Sequence, residues 1–454
     1  MKLFNSTYLL KFTLLFASFA ILSCSKDSED TPEASDITVT TSNFSVTIDE
    51  NPSEGQVIGT VAGTTNQGTV TFSITEQTPS GAFTIDAASG ELKVANEALF
   101  DFETNPTISG TVNVANGAIS ENALVTISIS DISEENIYQG DVILRTQTEV
   151  DEFGTHNYTG ITGYLLIGHD SGTTYSNITN LSPLQALTFV GNYVTISYNG
   201  ELQTLSGLEN LSEIGGTLAI VVNPALLTLE NLGEITEIND SLMLHLNPLL
   251  TNLQGLESIT TIASYLSIQV TPLVDLNGLQ NITSVGTLQI SGNENIENIT
   301  ALSGVVSIQD EIIIDNNPNL TSLTPLENVE GNIRRIYINY NNSLFSLNGL
   351  ENISCYGQLD IFSNNSLTDL SGLEKITNIN THVRIENNEN LISLHGLENL
   401  VEVSVQVSIW DNSNLTNYCA LENLCISGSV GYFGAHNNAY NPTKQDIIDG
   451  NCSI

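Results

Sequence analysis

A phrase close to Leu-x-Gly-Leu-Glu-Asn returns along the carboxyl-terminal two thirds of the chain. Its second leucine falls at Leu184, Leu208, Leu232, Leu256, Leu279, Leu302, Leu326, Leu350, Leu373, Leu397 and Leu421, and every interval is 23 or 24 residues. A fixed short period over so many repeats calls for a solenoid, because one such unit has no partner for its apolar side except the next unit. Fourteen residues before most of these leucines stands an apolar-x-apolar triplet, for example Val194-Thr195-Ile196, Leu218-Ala219-Ile220, Leu359-Asp360-Ile361 and Val407-Ser408-Ile409. Its period of two predicts a short strand in each coil, with the outer members in the core and the middle one facing outward.

Five residues after the first member of the triplet comes an asparagine in nine of ten coils: Asn199, Asn223, Asn247, Asn293, Asn317, Asn341, Asn364, Asn388 and Asn412, with Thr271 the exception. A carboxamide has two donors and an acceptor, so a stacked column of them closes its own turn and bonds the neighbouring coils. These asparagines are therefore expected to be structural. Charged residues make up only 13% of the chain, which leaves Asn, Ser, Thr and Gly to supply the polarity and favours turn-rich β-structure over helix.

The Gly-Leu-Glu-Asn phrase, the strand and the asparagine turn together resemble the receptor L domain, a leucine-rich-repeat-like solenoid, over about Asn157 to Val430. The resemblance implies a surface that binds proteins or glycans rather than one that performs catalysis.

The segment from Asp36 to Glu134 has a different texture. Alternation in Phe44-Ser45-Val46-Thr47-Ile48, Val70-Thr71-Phe72-Ser73-Ile74 and Val125-Thr126-Ile127-Ser128-Ile129, separated by Gly, Pro, Asn and Ser, predicts about seven short strands in a β-sandwich. Asp49-Glu50-Asn51-Pro52, Gly59-Thr60-Val61, Phe72-Ser73-Ile74, Gly81 to Asp86, Ser89-Gly90-Glu91-Leu92, Asp101-Phe102-Glu103 and Asp131-Ile132-Ser133-Glu134 occur in the order that resembles a cadherin repeat. That resemblance implies a Greek-key sandwich and a calcium half-site formed by Glu50, Asp101, Glu103, Asp131 and Glu134, since this hard cation takes six to eight oxygen ligands. The family's Asp-x-Asp pair is missing near Ala62 to Asn66, and a later aspartate position is Asn116, which removes ligands for a second, incoming site.

At the amino terminus, Lys2 and Lys11 accompany an apolar run from Phe12 to Leu22, shorter than a bilayer span and suited to a secretory signal. Ile21-Leu22-Ser23-Cys24 resembles the lipobox of bacterial lipoproteins, which implies lipidation at Cys24 and a lipid-anchored protein of the outer membrane and cell surface. Ser25 to Asp30 resembles the acidic export signal of Bacteroidetes surface lipoproteins. Three further cysteines, Cys419, Cys425 and Cys452, gather at the carboxyl end, where a Cys419–Cys452 staple is expected; Cys355 is expected to be a buried free thiol. Asn441-Pro442-Thr443 followed by Lys444 to Gly450 reads as a capping helix with proline in its first turn.

Ten Lys and Arg against 51 Asp and Glu give a net charge of −41, which excludes a nucleic-acid partner because phosphates require many cations. The six histidines, His156, His169, His245, His382, His395 and His436, show no metal-ligand spacing. On the outward columns Asp360 and Arg384 are expected to be ladder neighbours with Glu386 one step along, and to form an exposed ion pair. Tyr337, Phe362 and Trp410 share those columns, so Tyr337, Phe362, Arg384 and Trp410 form the expected face for a protein or glycan ligand.

The sequence thus reads as an all-β chain. Its expected segments are a signal peptide at 1–23, a lipidated acidic tether at 24–36, a cadherin-like domain at 37–134, a linker and cap at 135–156, a solenoid of about twelve coils at 157–434 and a carboxyl-terminal cap at 435–454. The expected role is non-enzymatic adhesion or ligand binding, with calcium as the one cofactor. A polysaccharide-degrading solenoid enzyme built on the carboxylate and arginine group is the rival, and a passive surface spacer the third reading.

Overall fold

A computed structural model describes residues 36–132, 136–172 and 174–454, and the chain divides into two compact units between Glu134 and Glu135. Cys24, Glu134, the signal and residues 24–35 of the tether lie outside the described residues.

The first unit holds β1 (Val39–Thr41), β2 (Phe44–Asp49), β3 (Val57–Thr60), β4 (Gly63–Thr65), β5 (Thr71–Thr78), β6 (Phe83–Ile85), β7 (Glu91–Val94), β8 (Thr107–Asn116) and β9 (Ile119–Ser130). One sheet runs β2-β9-β8-β5 and the other β3-β7-β6, with β1 paired to β4. There are nine strands rather than the expected seven, because two stretches change partner part-way: β1 and β2 at the start, and β3, which pairs with β7, followed by β4, which pairs with β1. β1 pairs antiparallel with β4, and after Ser42-Asn43 β2 pairs parallel with β9. Alternate residues of each sheet, among them Phe72, Phe83, Leu92, Ile108, Val112, Val125 and Ile127, meet in a separate core.

The second unit is a β-solenoid of about twelve turns beginning at Ile137. Parallel pairing starts there, with Ile137–Tyr138 on Gly160–Ile161 and Val142–Leu144 on Leu165–Ile167, so the segment expected to be linker and cap supplies the first coil. The ladder ends on Ser429–His436, which pairs with Glu402–Trp410. In the early coils each turn carries two short strands, such as Glu237–Ile238 and Leu242–His245. From Thr261–Gln269 onward most coils join them into one long strand with a register shift, here between Ile262 and Tyr265, so a single strand serves two faces by bending.

The asparagines behave as their chemistry requires. Asn317, Asn341, Asn364, Asn388 and Asn412 are fully buried. The backbone N–H of Asn317 donates to the Asn341 side-chain oxygen at 3.1 Å, Asn341 to Asn364 at 3.1 Å and Asn364 to Asn388 at 2.9 Å, while the Asn341 amide donates to the Ile314 carbonyl at 2.8 Å. Asn438 continues the column into the carboxyl-terminal cap, accepting from the Asn412 N–H at 2.9 Å. Immediately before each ladder position the backbone turns left-handed, at Val222 (φ +56°), Leu246 (+55°), Val270 (+52°), Asn316 (+54°), Tyr340 (+56°) and Asn387 (+59°) among others.

The recurrent phrase also has a mechanical explanation. In six coils the residue before the aligned leucine is glycine, with φ between +104° and +118°. A Cβ on Gly278 would lie 2.1 Å from the Leu253 carbonyl oxygen of the preceding coil, so only glycine fits. Its N–H is taken by the side chain two residues on, as Gly255 to Glu257 at 2.7 Å and Gly349 to Glu351 at 2.8 Å. The next asparagine then staples the previous coil, as Asn352 to the Glu327 carbonyl at 2.9 Å. Where Pro183, Asn231, Ala301, Pro325 or Ala420 replaces the glycine, the turn becomes a 3₁₀ helix instead: Ser182–Leu184, Glu230–Leu232, Thr300–Gly304, Thr324–Leu326 and Cys419–Leu421.

Both ends are covered. The helix Gln147–Gly154 is opened by a capping box between Thr146 and Glu149. At the other end Cys419 and Cys452 are joined by a disulfide with Cα atoms 4.9 Å apart, and the helix Lys444–Ile448 begins on Thr443 as its N-cap. Pro442 therefore precedes the helix instead of lying in its first turn, because the Thr443 side chain supplies the cap. Cys355 and Cys425 are buried free thiols.

Candidate functional site

The outward face of the long sheet is more crowded than alternation alone predicts. Parallel strands about 4.8 Å apart let each side chain shade its neighbours, and the outward-facing Ala219, Ser267, Asp360 and Ser408 are all buried. Between the strands Gly331–Asn339, Ile353–Phe362 and His382–Glu386 the face opens into a concave pocket of about 200 Å³ lined by Tyr337, Asn339, Tyr340, Asp360, Phe362, Arg384 and Glu386.

Register places these groups. Tyr337 lies opposite Asp360 and Asp360 opposite Arg384, while Asn339 lies opposite Phe362 and Phe362 opposite Glu386. Arg384 Nε donates to Asp360 Oδ1 at 2.6 Å, and the Gln358 amide donates to Oδ2 at 2.6 Å. The expected pairing is present, but it is not an exposed ion pair: the Asp360 side chain is 2% exposed and that of Arg384 48%. Asp360 is covered by the arginine and glutamine that bind it, and it fixes the guanidinium plane at the pocket floor. The Asp360 carboxylate holds the Arg384 pKa up, against the opposing pull of burial. Burial raises Glu386 above the ordinary glutamate range; Arg384 opposes this, and Asp360 and Asp411 add to it.

Three rings line the pocket. Tyr340 and Phe362 meet edge to face with centroids 4.9 Å apart, and Tyr337 stands on the adjoining column. The Asn339 side-chain oxygen fixes the start of the turn by accepting the Phe362 N–H at 2.9 Å. Tyr340 was not expected from strand alternation, because it occupies the left-handed turn position before the buried Asn341. That turn is marked in the sequence only by the asparagine that follows it.

Trp410 departs from expectation. It pairs in register with Glu386, yet it is only partly exposed, its indole N–H is buried, and its ring faces His436 at 5.9 Å. Packing against the last strand keeps it off the pocket, so of the four expected ligand-binding residues Tyr337, Phe362 and Arg384 are brought together and Trp410 is not.

The sandwich contains the second candidate site. Glu50, Glu103 and Asp131 present carboxylate oxygens that all lie within 4.8 Å of one another. Glu50 is buried and already accepts the N–H of Phe102 at 2.9 Å and of Ile132 at 2.6 Å, which locks its position. The hydrogen bond from its own backbone amide lowers the Glu103 carboxyl, but loss of solvent and the charges of Glu50, Asp131 and Asp101 outweigh it and the net shift is upward. Asp101 falls outside the cluster. Its carboxylate accepts the N–H and hydroxyl of Thr104, each at 3.0 Å, and these bonds hold its pKa down.

No family model matches the sequence, and no curated protein matches it. Among solved structures the chain is similar to protocadherin gamma B2 extracellular cadherin domains 3–6, with 21% identity, a TM-score of 0.19, and coverage of 21% of this chain and 23% of that one. It is also similar to mouse cadherin-23 EC22–24, with 16% identity, a TM-score of 0.19, and coverage of 24% and 38%. The chain thus spans well under half the length of either solved structure.

Proposed function

We propose that the protein is a non-enzymatic cell-surface lipoprotein, anchored to the outer membrane through Cys24, that binds a glycan or protein ligand on the outward sheet of a receptor-L-like solenoid. The observation that supports this reading is the pocket between Tyr337 and Glu386, where three aromatic rings surround a fixed Asp360–Arg384 pair. Ring faces cover the apolar side of a sugar, while Asn339, Arg384 and Glu386 offer the acceptors and donors that hydroxyl groups need. At about 200 Å³ the pocket has room for a single ring rather than a long chain. Calcium at Glu50, Glu103 and Asp131 would stiffen the cadherin-like sandwich, since three convergent carboxylates are the right donor set for a hard cation.

A second reading follows from one observation. Glu386, raised by burial, and Asp360 put two carboxyl groups on the same pocket, and glycoside cleavage uses a pair of carboxyl groups. A panel of neutral and acidic glycans, assayed for both binding and product with the wild type and Asp360→Asn, separates the two. Binding without product supports the adhesin; product that disappears in the variant supports the enzyme. Release of the Cys24→Ala variant from the membrane fraction tests the anchor, and its retention after alkaline washing would overturn that part.

A further inference from the structure

The largest ring cluster of the second unit lies away from the outward pocket, beside the first coil. Tyr138, Phe153, Tyr158 and His156 line a cavity of about 510 Å³ whose remaining polar lining is the carboxylates of Asp141, Glu149 and Glu152. The rings form a continuous group: Tyr138 meets Phe153 at 5.8 Å and Tyr158 at 5.4 Å, Phe153 meets Tyr158 at 5.1 Å, and His156 stacks on Tyr158 at 5.4 Å with an interplanar angle of 9°. Among the described residues no lysine or arginine lines the cavity.

Two of the carboxylates are fixed in place by backbone hydrogen bonds. Glu149 accepts the backbone N–H groups of Arg145 at 2.6 Å and Thr146 at 2.9 Å, and the Arg145 bond in particular holds its pKa down. Asp141 accepts the Tyr164 N–H at 3.2 Å. The Glu152 carboxylate is exposed and engaged by no described residue. The cavity therefore combines carboxylates with an aromatic lining. A cation over the face of a ring and within about 6 Å of its centroid is attracted by the ring quadrupole, and four rings line this one cavity. Anionic ligands are repelled by the carboxylates, and a bare metal ion is poorly matched, because rings provide no ligand lone pairs and the volume far exceeds one ion.

We infer that this cavity is a binding site for a small alkylated ammonium ion of the choline type, distinct from the outward pocket and independent of what that pocket binds. The test is calorimetry on the full-length protein with choline, with its uncharged isostere 3,3-dimethylbutan-1-ol, and with phosphocholine. Choline is expected to bind about fivefold or more tightly than the neutral isostere. It should also bind more tightly than phosphocholine, whose phosphate meets the carboxylates. Tyr158→Phe should keep the affinity and Tyr158→Ala should reduce it about fivefold or more. Should Tyr158→Ala fail to fold, Glu152→Gln at an exposed position carries the test, with an expected loss of about two- to threefold that shrinks at high salt. Equal affinity for choline and the neutral isostere, or no response to Glu152→Gln and Tyr158→Ala, overturns the site. Tighter binding of phosphocholine overturns the free-cation assignment.

Discussion

Replacing Asn341 with alanine removes the side-chain oxygen that accepts the Asn317 backbone N–H at 3.1 Å and the amide that donates to the Ile314 carbonyl at 2.8 Å. Both partners sit in a fully buried column where water has no access. Leaving a buried backbone group without its partner costs about 1–3 kcal/mol, so two such groups give a loss of about 2–6 kcal/mol for a single side chain. Asn390 is the control. Its amide also donates to a preceding coil, to the Asn365 carbonyl at 2.8 Å, but it is exposed, so solvent replaces the bond and alanine costs only about 0.5–1 kcal/mol. Trp410 is the only tryptophan and belongs to the solenoid, so its fluorescence in urea reports this unit without the sandwich. If the two variants unfold within about 1 kcal/mol of each other, the ladder does not hold the coils together as argued.

Three further outcomes follow from the same structure. Val270 is 51% exposed with φ +52°, where a β-branched residue is unfavourable, so Val270→Asn should raise solenoid stability by about 1 kcal/mol in the same urea assay, and a loss would refute the strain argument. Gly278→Ala should destabilise by more than about 1 kcal/mol, since its Cβ would meet the Leu253 carbonyl; a neutral result would show that the Gly turn converts freely to the 3₁₀ form already used at Ala301. Millimolar calcium should raise the melting temperature of the sandwich and Glu103→Gln should abolish the rise, because an ion bound only to the folded state stabilises it by mass action; superimposable curves with calcium and with chelator would remove the metal from the account.

What was legible in the sequence was whatever the repeat itself encodes. The period encodes the coil and the triplet the strand, and the carboxamide chemistry of the asparagine column marks it as structural from the sequence alone. Features that depend on contact across coils were not legible. Asp360 reads as an outward residue in its own strand, and its burial comes from Gln358 and from Arg384 a coil away. Trp410 reads as exposed for the same reason, and the last strand covers it. The first coil was missed because its strands are two and three residues long, although Thr146-Gln147-Thr148-Glu149 carries a visible capping-box signal for the helix beside it. In the sandwich, the resemblance to a cadherin repeat implied that Glu50, Glu103 and Asp131 converge, but it could not reveal that Asp101 turns to Thr104.

We propose the pocket between Tyr337 and Glu386 as the place where the solenoid meets its ligand. It is tested most directly by the affinity of the wild type, Tyr337→Ala and Phe362→Ala for the tightest ligand found on the glycan and protein panel, with melting temperatures measured alongside. A central aromatic at an interface commonly contributes about 2 kcal/mol or more, which corresponds to roughly a thirtyfold loss of affinity in each folded variant. Wild-type affinity in both variants, with the fold intact, would contradict the account and move the contact surface off this sheet.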